Sequence, residues 1–280
     1  MLPNQLTFGV EIECYSPMRL DELARRISAA GVHADYVPYG THVTSRDWKV
    51  VNDASLSRYN PTGFYGGEVV SPILQGEAGL ATLAKVADIV LGLNCKITQR
   101  CGLHVHIGAR NATPEQLRSL AKMFLKYEAH FDALVPNSRR LSNNFYCRSN
   151  IPGVGGSPAN GGSMSTATFA KIDATRTNEQ LARVMNGGWS TEQYNEYRYH
   201  KLNFQSMATH GTVEFRQHSG SVESKKICAW VKLVSGFVAC AMSVRTVSET
   251  PATFASLLTK TDRATAAYLE SRRVALAGSV

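Results

Sequence analysis

The segment FGVEIE at residues 8–13 decides the fold, because its apolar and polar residues alternate. Successive side chains of a β-strand point to opposite faces of a sheet. The three apolar residues, Phe8, Val10 and Ile12, therefore share one face, while Glu11 and Glu13 share the other. This alternation, which extends over residues 6–15, predicts a half-buried strand with one packed face and one polar face.

Three further segments continue the pattern, namely LHVHI at 103–107, VEFRQH at 213–218 and GEVVSP at 67–72. Their polar positions hold His104 and His106 in the first segment, Glu214, Arg216 and His218 in the second, and Glu68 in the third. Each segment alone would also fit a sheet with one face in water, and the histidines alone would fit a polar surface or a satisfied core. A merely solvated face, however, favours Lys, Thr, Gln and Ser over this set of acids, histidines and an arginine.

These residue types predict cations among the strands. Carboxylates about 4 Å apart would repel by up to ~4 kcal/mol per pair at an effective dielectric near 20. If the strands are neighbours, cations must therefore lie between the acids. Carboxylate-rich sites with one histidine suit Mg²⁺ or Mn²⁺ better than zinc.

The remaining chain mixes helices with strands, which favours an α+β fold over a regular βαβ array. We expect one domain over residues 1–280, with a helical segment at about 250–280. The clearest predicted elements are helices at 20–30, at 80–93, from Thr113 and from Glu223, and strands at 48–51, 68–74, 197–205 and 211–218. Gly31 is expected to end the first helix. Thr113 and Gln116 are expected to form a capping box at the start of the third helix, whose apolar residues lie on one stripe. The apolar residues of 227–244 recur at helical spacing around Lys232, which favours a buried core helix over a membrane span.

The stretch PGVGGSPANGGSMS at 152–165 cannot bury enough apolar area to fix one conformation. It is either a mobile lid over a site or a disordered surface insertion.

Composition narrows the function classes. The 280 residues include 44% hydrophobic and 19% charged residues, which is typical of a globular protein. The formal net charge of +8 would attract anionic ligands. The basic residues are dispersed, however, which favours an ordinary soluble surface and disfavours a nucleic-acid partner. Residues 1–7 lack the features of a signal peptide, so we expect a cytoplasmic protein with six free cysteines.

Six segments together resemble the putative amidoligase family, a branch of the carboxylate–amine ligase superfamily that includes glutamine synthetase and γ-glutamylcysteine ligase. They occur in the family's order over roughly residues 8–245. The segments are FGVEIE (8–13), WKVVNDASL (48–56), GGEVVSPIL (66–74), CGLHVHIG (101–108), YHKLNF (199–204) and GTVEFRQHSGS (211–221).

The resemblance implies a glutamine synthetase-like catalytic domain, in which a curved antiparallel sheet has helices packed on one face and catalysis on the other. It also implies ATP and two or three Mg²⁺ or Mn²⁺ ions. The substrates would be a carboxylate-bearing amino acid or peptide and an amine. Relatives suggest peptide tagging, or modification of cell-wall or phage-associated peptides.

Carried over residue by residue, the resemblance gives each polar side chain a role. Glu11 and Glu13 would each serve one of two metal positions. Glu68 would join Glu13, with Asp53 as a further candidate ligand where larger relatives use a glutamate. The second position would be completed by His104 and Glu214.

The same carry-over places His106 against the ATP phosphates and Arg216 against the transferred phosphate. By its position on the same strand face, His218 is a further candidate for nucleotide binding, and Glu214, Arg216 and His106 are the candidate catalytic residues. The resulting function is an ATP-dependent amidoligase that acts through an acyl phosphate. Two alternatives remain, a metal-dependent phosphoesterase or nuclease and an inactive binding protein of the same fold.

Overall fold

The chain divides into two compact units. Unit one is Met1–Val105 with His218–Val231, and unit two is His106–Gln217 with Lys232–Val280. The computed structural model describes residues 6–38, 45–155, 166–192 and 194–278.

Eight strands and ten α-helices, with several short 3₁₀ helices between them, make up the described chain. The strands are β1 Thr7–Ser16, β2 Ala34–Val37, β3 Trp48–Asn52, β4 Tyr65–Val70, β5 Leu74–Gln75, β6 Gly102–Gly108, β7 Leu202–Asn203 and β8 Thr212–Ser219. The helices are α1 Leu20–Ala29, α2 Ala54–Ser57, α3 Gly76–Gly92, α4 Pro114–Asp132, α5 Thr166–Asp173, α6 Asn178–Asn186, α7 Ser206–Thr209, α8 Ser224–Ser243, α9 Phe254–Leu258 and α10 Arg263–Ala277.

Unit one contains a sheet in the order β2-β3-β4-β1, followed by the first half of β6, with β5 paired to β1. β3, β4 and β1 pair antiparallel, whereas β2 lies parallel to β3. Helices α1 and α3 contact each other and supply buried apolar residues to the core of this unit. The predicted end of α1 is confirmed, because Gly31 adopts a φ of 83° that favours glycine.

Unit two contains the second half of β6, then β8, then β7. Its core is aromatic. The ring of Phe131 from α4 lies 6.0 Å from that of Phe215 on β8 and 5.1 Å from that of Phe237 on α8. The predicted capping box at the start of α4 is present, because Thr113 and Gln116 each accept from the other's backbone N–H.

These elements confirm an α+β fold whose strands pair mostly antiparallel. The more specific expectation of a curved, glutamine synthetase-like sheet with helices on one face stays a prediction, and so does the single-domain assignment.

Two predicted strands differ from the structure. The strand expected at 197–205 shrinks to the two residues of β7, because side-chain amides replace the ladder of a strand. The backbone N–H of Leu202 donates to Asn150, and that of Phe204 donates to Asn186.

The strand expected at 68–74 is divided into β4 and β5. Between them Ser71 binds the backbone of Val10 through both its N–H and its hydroxyl group, and Pro72 has no N–H to donate.

Most of the 152–165 segment lies outside the described part of the chain. Residues 156–165 fall outside the described residues, so the choice between a lid and a disordered insertion stays a prediction. Its first residues belong to a 3₁₀ helix, Ile151–Val154, which Gly155 ends in a left-handed conformation.

Helix α8 is the one described helix long and apolar enough to cross a membrane by length and composition alone. More than half of it is buried within the protein, so a core helix satisfies the same test. None of the six cysteines, all of which lie in the described part of the chain, forms a disulfide bond.

Candidate functional site

The register of unit one places acids side by side. Glu13 on β1 lies directly opposite Glu68 on β4, and cross-strand partners point to the same face of a sheet. Asp53 follows β3 and caps helix α2, where its carboxylate accepts from the N–H of Ser55 at 2.6 Å. Ligand atoms of Glu13, Asp53 and Glu68 all lie within 4.8 Å of one another, a spacing that could hold a metal ion.

His104 on β6 connects this group to the second acid of β1. Its Nδ1 atom lies 3.0 Å from Oε2 of Glu11, and its Nε2 atom lies 3.5 Å from Oε1 of Glu13. The other oxygen of Glu13 accepts from the backbone N–H of Gly102 at 2.6 Å. A carboxylate–histidine–carboxylate arrangement of this kind fixes the orientation of the imidazole ring, which is itself buried.

The acids of this group disturb one another electrostatically. Burial raises the pKa of Glu68 well above its usual range, and the charges of Glu11, Asp53 and Glu13 raise it further. A carboxyl group of this kind costs free energy when it is ionised in the folded protein. A divalent cation among the oxygens would remove that cost, and carboxylate oxygens suit Mg²⁺ or Mn²⁺. The donor set in unit one therefore fits the predicted metal.

In unit two the carboxylate of Glu214 is held by three side chains. Its Oε1 atom lies 2.5 Å from Nη1 of Arg216 and 3.7 Å from Nε2 of His106, and its Oε2 atom accepts from the amide of Asn203 at 2.6 Å. The alternation of β8 brings Glu214 and Arg216 to one face, as the sequence predicts.

The other ring nitrogen of His106 faces hydroxyl groups. Nδ1 lies 2.9 Å from Oγ1 of Thr212 and 3.1 Å from Oγ of Ser206. Either hydroxyl can donate or accept, so each tautomer of the imidazole ring can be satisfied.

The guanidinium group of Arg216 is oriented from a second side. Its Nε atom donates to the backbone oxygen of Tyr146 at 3.4 Å, and its carbon lies 5.7 Å from the ring centre of Tyr199. A fixed, buried guanidinium group can bind two oxygens of a phosphate or carboxylate at once.

His218 belongs to unit one, where its ring is buried 4.8 Å from the ring of Trp230 and its Nδ1 atom contacts the backbone oxygen of Ser219. These contacts pack the histidine in place, and its predicted role in nucleotide binding stays a prediction. The same is true of the predicted metal position that Glu214 would share with Glu11 and His104.

Several polar residues of these groups were not anticipated. Lys49 and Asn203 were not predicted as site residues, although both lie in segments that carry the family resemblance. The alternation of β3 was the available signal for Lys49, because a lysine among apolar residues of a buried strand requires a polar partner.

A family model described as "Putative amidoligase enzyme" matches residues 4–238. No curated protein matches the chain. Because the match spans most of the 280 residues, it confirms the resemblance seen in the sequence. The chain belongs to the putative amidoligase family.

Proposed function

We propose that this protein is an ATP-dependent carboxylate–amine ligase that activates its acid substrate as an acyl phosphate. Family membership supports ligase activity on a carboxylate and an amine. The observation that carries the finer proposal is the cluster of Glu13, Asp53 and Glu68, whose oxygen ligands could hold a divalent cation.

We assign Mg²⁺ or Mn²⁺ to two places in unit one. One would be held by Glu13, Asp53 and Glu68, and the other by Glu11 with His104. When bound, such ions neutralise the charge of ATP phosphates and of the phosphoryl group in transfer. The hydrogen bond from Gly102 and the contacts of His104 keep the carboxylates oriented for this task.

Unit two supplies the groups for an anionic substrate. Arg216 would hold oxygens of the transferred phosphoryl group in a bidentate fork, and His106 would contact phosphate oxygens. Glu214 and Tyr146 fix the guanidinium group before the substrate arrives, so that little reorganisation is needed during the reaction.

Hydroxylamine trapping tests the proposal directly. The wild-type protein, Mg²⁺, ATP and a panel of amino acids and short peptides should give hydroxamate and carboxylate-dependent ADP release. Glu13→Gln should lower both rates at least about a hundredfold, which is the scale of losing one electrostatic contact to the transition state. Glu22→Gln is the matched control, because Glu22 is paired with arginines on the surface of α1 in the same unit.

Arg216→Lys separates phosphate binding from folding. The variant should unfold like the wild type but turn over at least about tenfold more slowly, because lysine cannot form the bidentate contact. An equal hydroxamate rate would show that Arg216 is wrongly assigned. Cleavage of a phosphodiester without any carboxylate-dependent ADP release would favour a nuclease instead.

A further inference from the structure

A lysine shares the acidic face of unit one. Lys49 on β3 lies opposite Val70 on β4, and Val70 in turn lies opposite Glu11 on β1. Cross-strand partners point to one face, so Lys49 and Glu11 share a face. Residues two apart along a strand also share a face. The neighbouring row of Val51, Glu68 and Glu13 therefore points to that same face. The register thus places the stem of Lys49 among the candidate metal ligands.

Lys49 is only 8% exposed, which is exceptional for a lysine. Burial lowers the pKa of its ammonium group, while the charges of Glu11 and Glu68 act in the opposite direction. Both acids therefore lie within electrostatic range of the lysine. A buried lysine costs stability unless a nearby anion compensates, and these two acids are the anions within range.

The charges of the face indicate that function. Two divalent cations would cancel the four carboxylate charges of Glu11, Glu13, Asp53 and Glu68. The ammonium group of Lys49 would then leave the metal-loaded face with one net positive charge. An anionic oxygen of a phosphate is the complementary ligand.

We propose that Lys49 is a substrate-binding residue of unit one, which competes with divalent cations for the carboxylates and binds a phosphate oxygen of the nucleotide once the cations are in place. The inference rests on the proposed function, since it requires both ions and nucleotide. Lys49 would have two opposite effects, because its positive charge weakens cation binding and strengthens anion binding at the same face.

Two titrations of wild type and Lys49→Met measure these effects separately. In the first, Mn²⁺ alone is titrated and followed by electron paramagnetic resonance; the variant should bind Mn²⁺ about threefold to tenfold more tightly, because a like charge has been removed. In the second, the β,γ-imido analogue of ATP is titrated at saturating Mn²⁺; the variant should bind it about tenfold more weakly, because a charge-assisted hydrogen bond is lost.

Lys49→Arg should keep both affinities near the wild-type values, because it preserves the charge. Lys85→Met is the matched control, since Lys85 is exposed on α3 of the same unit, where it donates to the backbone oxygen of Gly31. If Lys49→Met does not fold, Lys49→Gln takes its place with the same expected directions.

The outcomes separate this inference from the proposed function. If wild type binds Mn²⁺ and the nucleotide analogue but Lys49→Met binds the analogue equally well, the role of Lys49 is overturned and the proposed function stands. Weaker Mn²⁺ binding by Lys49→Met would also overturn the inference, since it would indicate a structural role. A wild-type protein that binds neither probe would overturn both.

Discussion

Two lysines of this protein lie among carboxylates, Lys49 in unit one and Lys201 in unit two, and the two surroundings differ in balance. Nζ of Lys201 lies 2.9 Å from Oε1 of Glu128 and 2.6 Å from Oδ1 of Asp132, and all three residues are buried. One lysine here faces two acids, whereas Lys49 lies on a face with four.

The acids around Lys201 are also completely hydrogen-bonded. The second oxygen of Glu128 accepts from the N–H of Asn150 at 3.1 Å, and that of Asp132 accepts from the N–H of Leu141 at 2.9 Å. The amide of Gln217 donates to Asp132 as well. Donors from β8, from the loops after α4 and from the residue before β7 thus meet the two acids of α4 in one satisfied network, which includes the strand that carries Arg216.

The acids around Lys49 are not balanced in this way. Burial raises the pKa of Glu128 and of Glu68, but the charge of Lys201 opposes the rise at Glu128, whereas three neighbouring acids add to the rise at Glu68. A buried lysine among acids therefore does not by itself mark a functional site. What distinguishes unit one is the surplus of negative charge, because a fold gains nothing from holding repelling carboxylates together unless they bind something.

The largest expected effect comes from breaking the balanced cluster. Lys201→Met should lower the free energy of unfolding by about 3–5 kcal/mol, because it leaves Glu128 and Asp132 buried without their cation. Urea denaturation followed by circular dichroism measures the change.

The control for that variant is Lys122→Met, which removes a lysine from the same helix as Glu128. Lys122 pairs at 2.7 Å with Asp173, whose side chain is 52% exposed, so its loss should cost only about 0–1 kcal/mol. Equal losses in the two variants would remove the distinction between a balanced buried cluster and an ordinary ion pair.

The sequence revealed the acidic face more completely than the balanced network. Alternation within single strands identified Glu11, Glu13, Glu68 and His104, because the parity of a strand is a local property. Helix α4 was likewise predicted from its capping box and its apolar stripe.

The network around Lys201 depends on tertiary contacts that no local pattern encodes. Glu128 and Asp132 lie four residues apart on α4, and they meet Lys201 about 70 residues later in the chain. Neither acid belongs to the apolar stripe of α4, so the helical pattern does not mark them as buried. The strand predicted at 197–205 failed for a related reason, because the amides of Asn150 and Asn186 complete the backbone there, and their positions could not be known from sequence.

A smaller effect of opposite sign is expected from relieving the surplus charge. In buffer with EDTA, Glu68→Gln should raise the free energy of unfolding by about 1–2 kcal/mol, because one repelling carboxylate is lost. Adding Mn²⁺ should stabilise the wild type by mass action, and the variant much less. The matched comparison is Glu128→Gln, which should be destabilising, because it weakens the pairing of Lys201. If both glutamine variants were destabilised alike, the two clusters would not differ in the way proposed.

The smallest expected effect is a change of unfolding free energy with pH, and it sets the pH range in which the two clusters can be compared. Burial lowers the pKa of His200, the neighbour of Lys201, from 6.5 to about 4, although the backbone oxygen of Tyr197 partly offsets the shift. Between these values the unfolded chain binds a proton that the folded protein does not, so the contribution is complete above about pH 6.5 and is lost as the pH falls toward 4. Asparagine at position 200 does not titrate. The stability of His200→Asn relative to wild type should therefore improve by about 0.8 kcal/mol between pH 7.5 and pH 6, as urea denaturation at the two pH values can measure. His33→Asn, at an exposed histidine of unit one, controls for the loss of a histidine as such.

A difference between wild type and His200→Asn that stayed constant with pH would show that His200 remains as easily protonated in the folded protein as in the unfolded chain. If the difference does change with pH, the variants of Lys201 and Lys49 have to be compared above pH 7. At those pH values the titration of His200 does not change the free energy of unfolding.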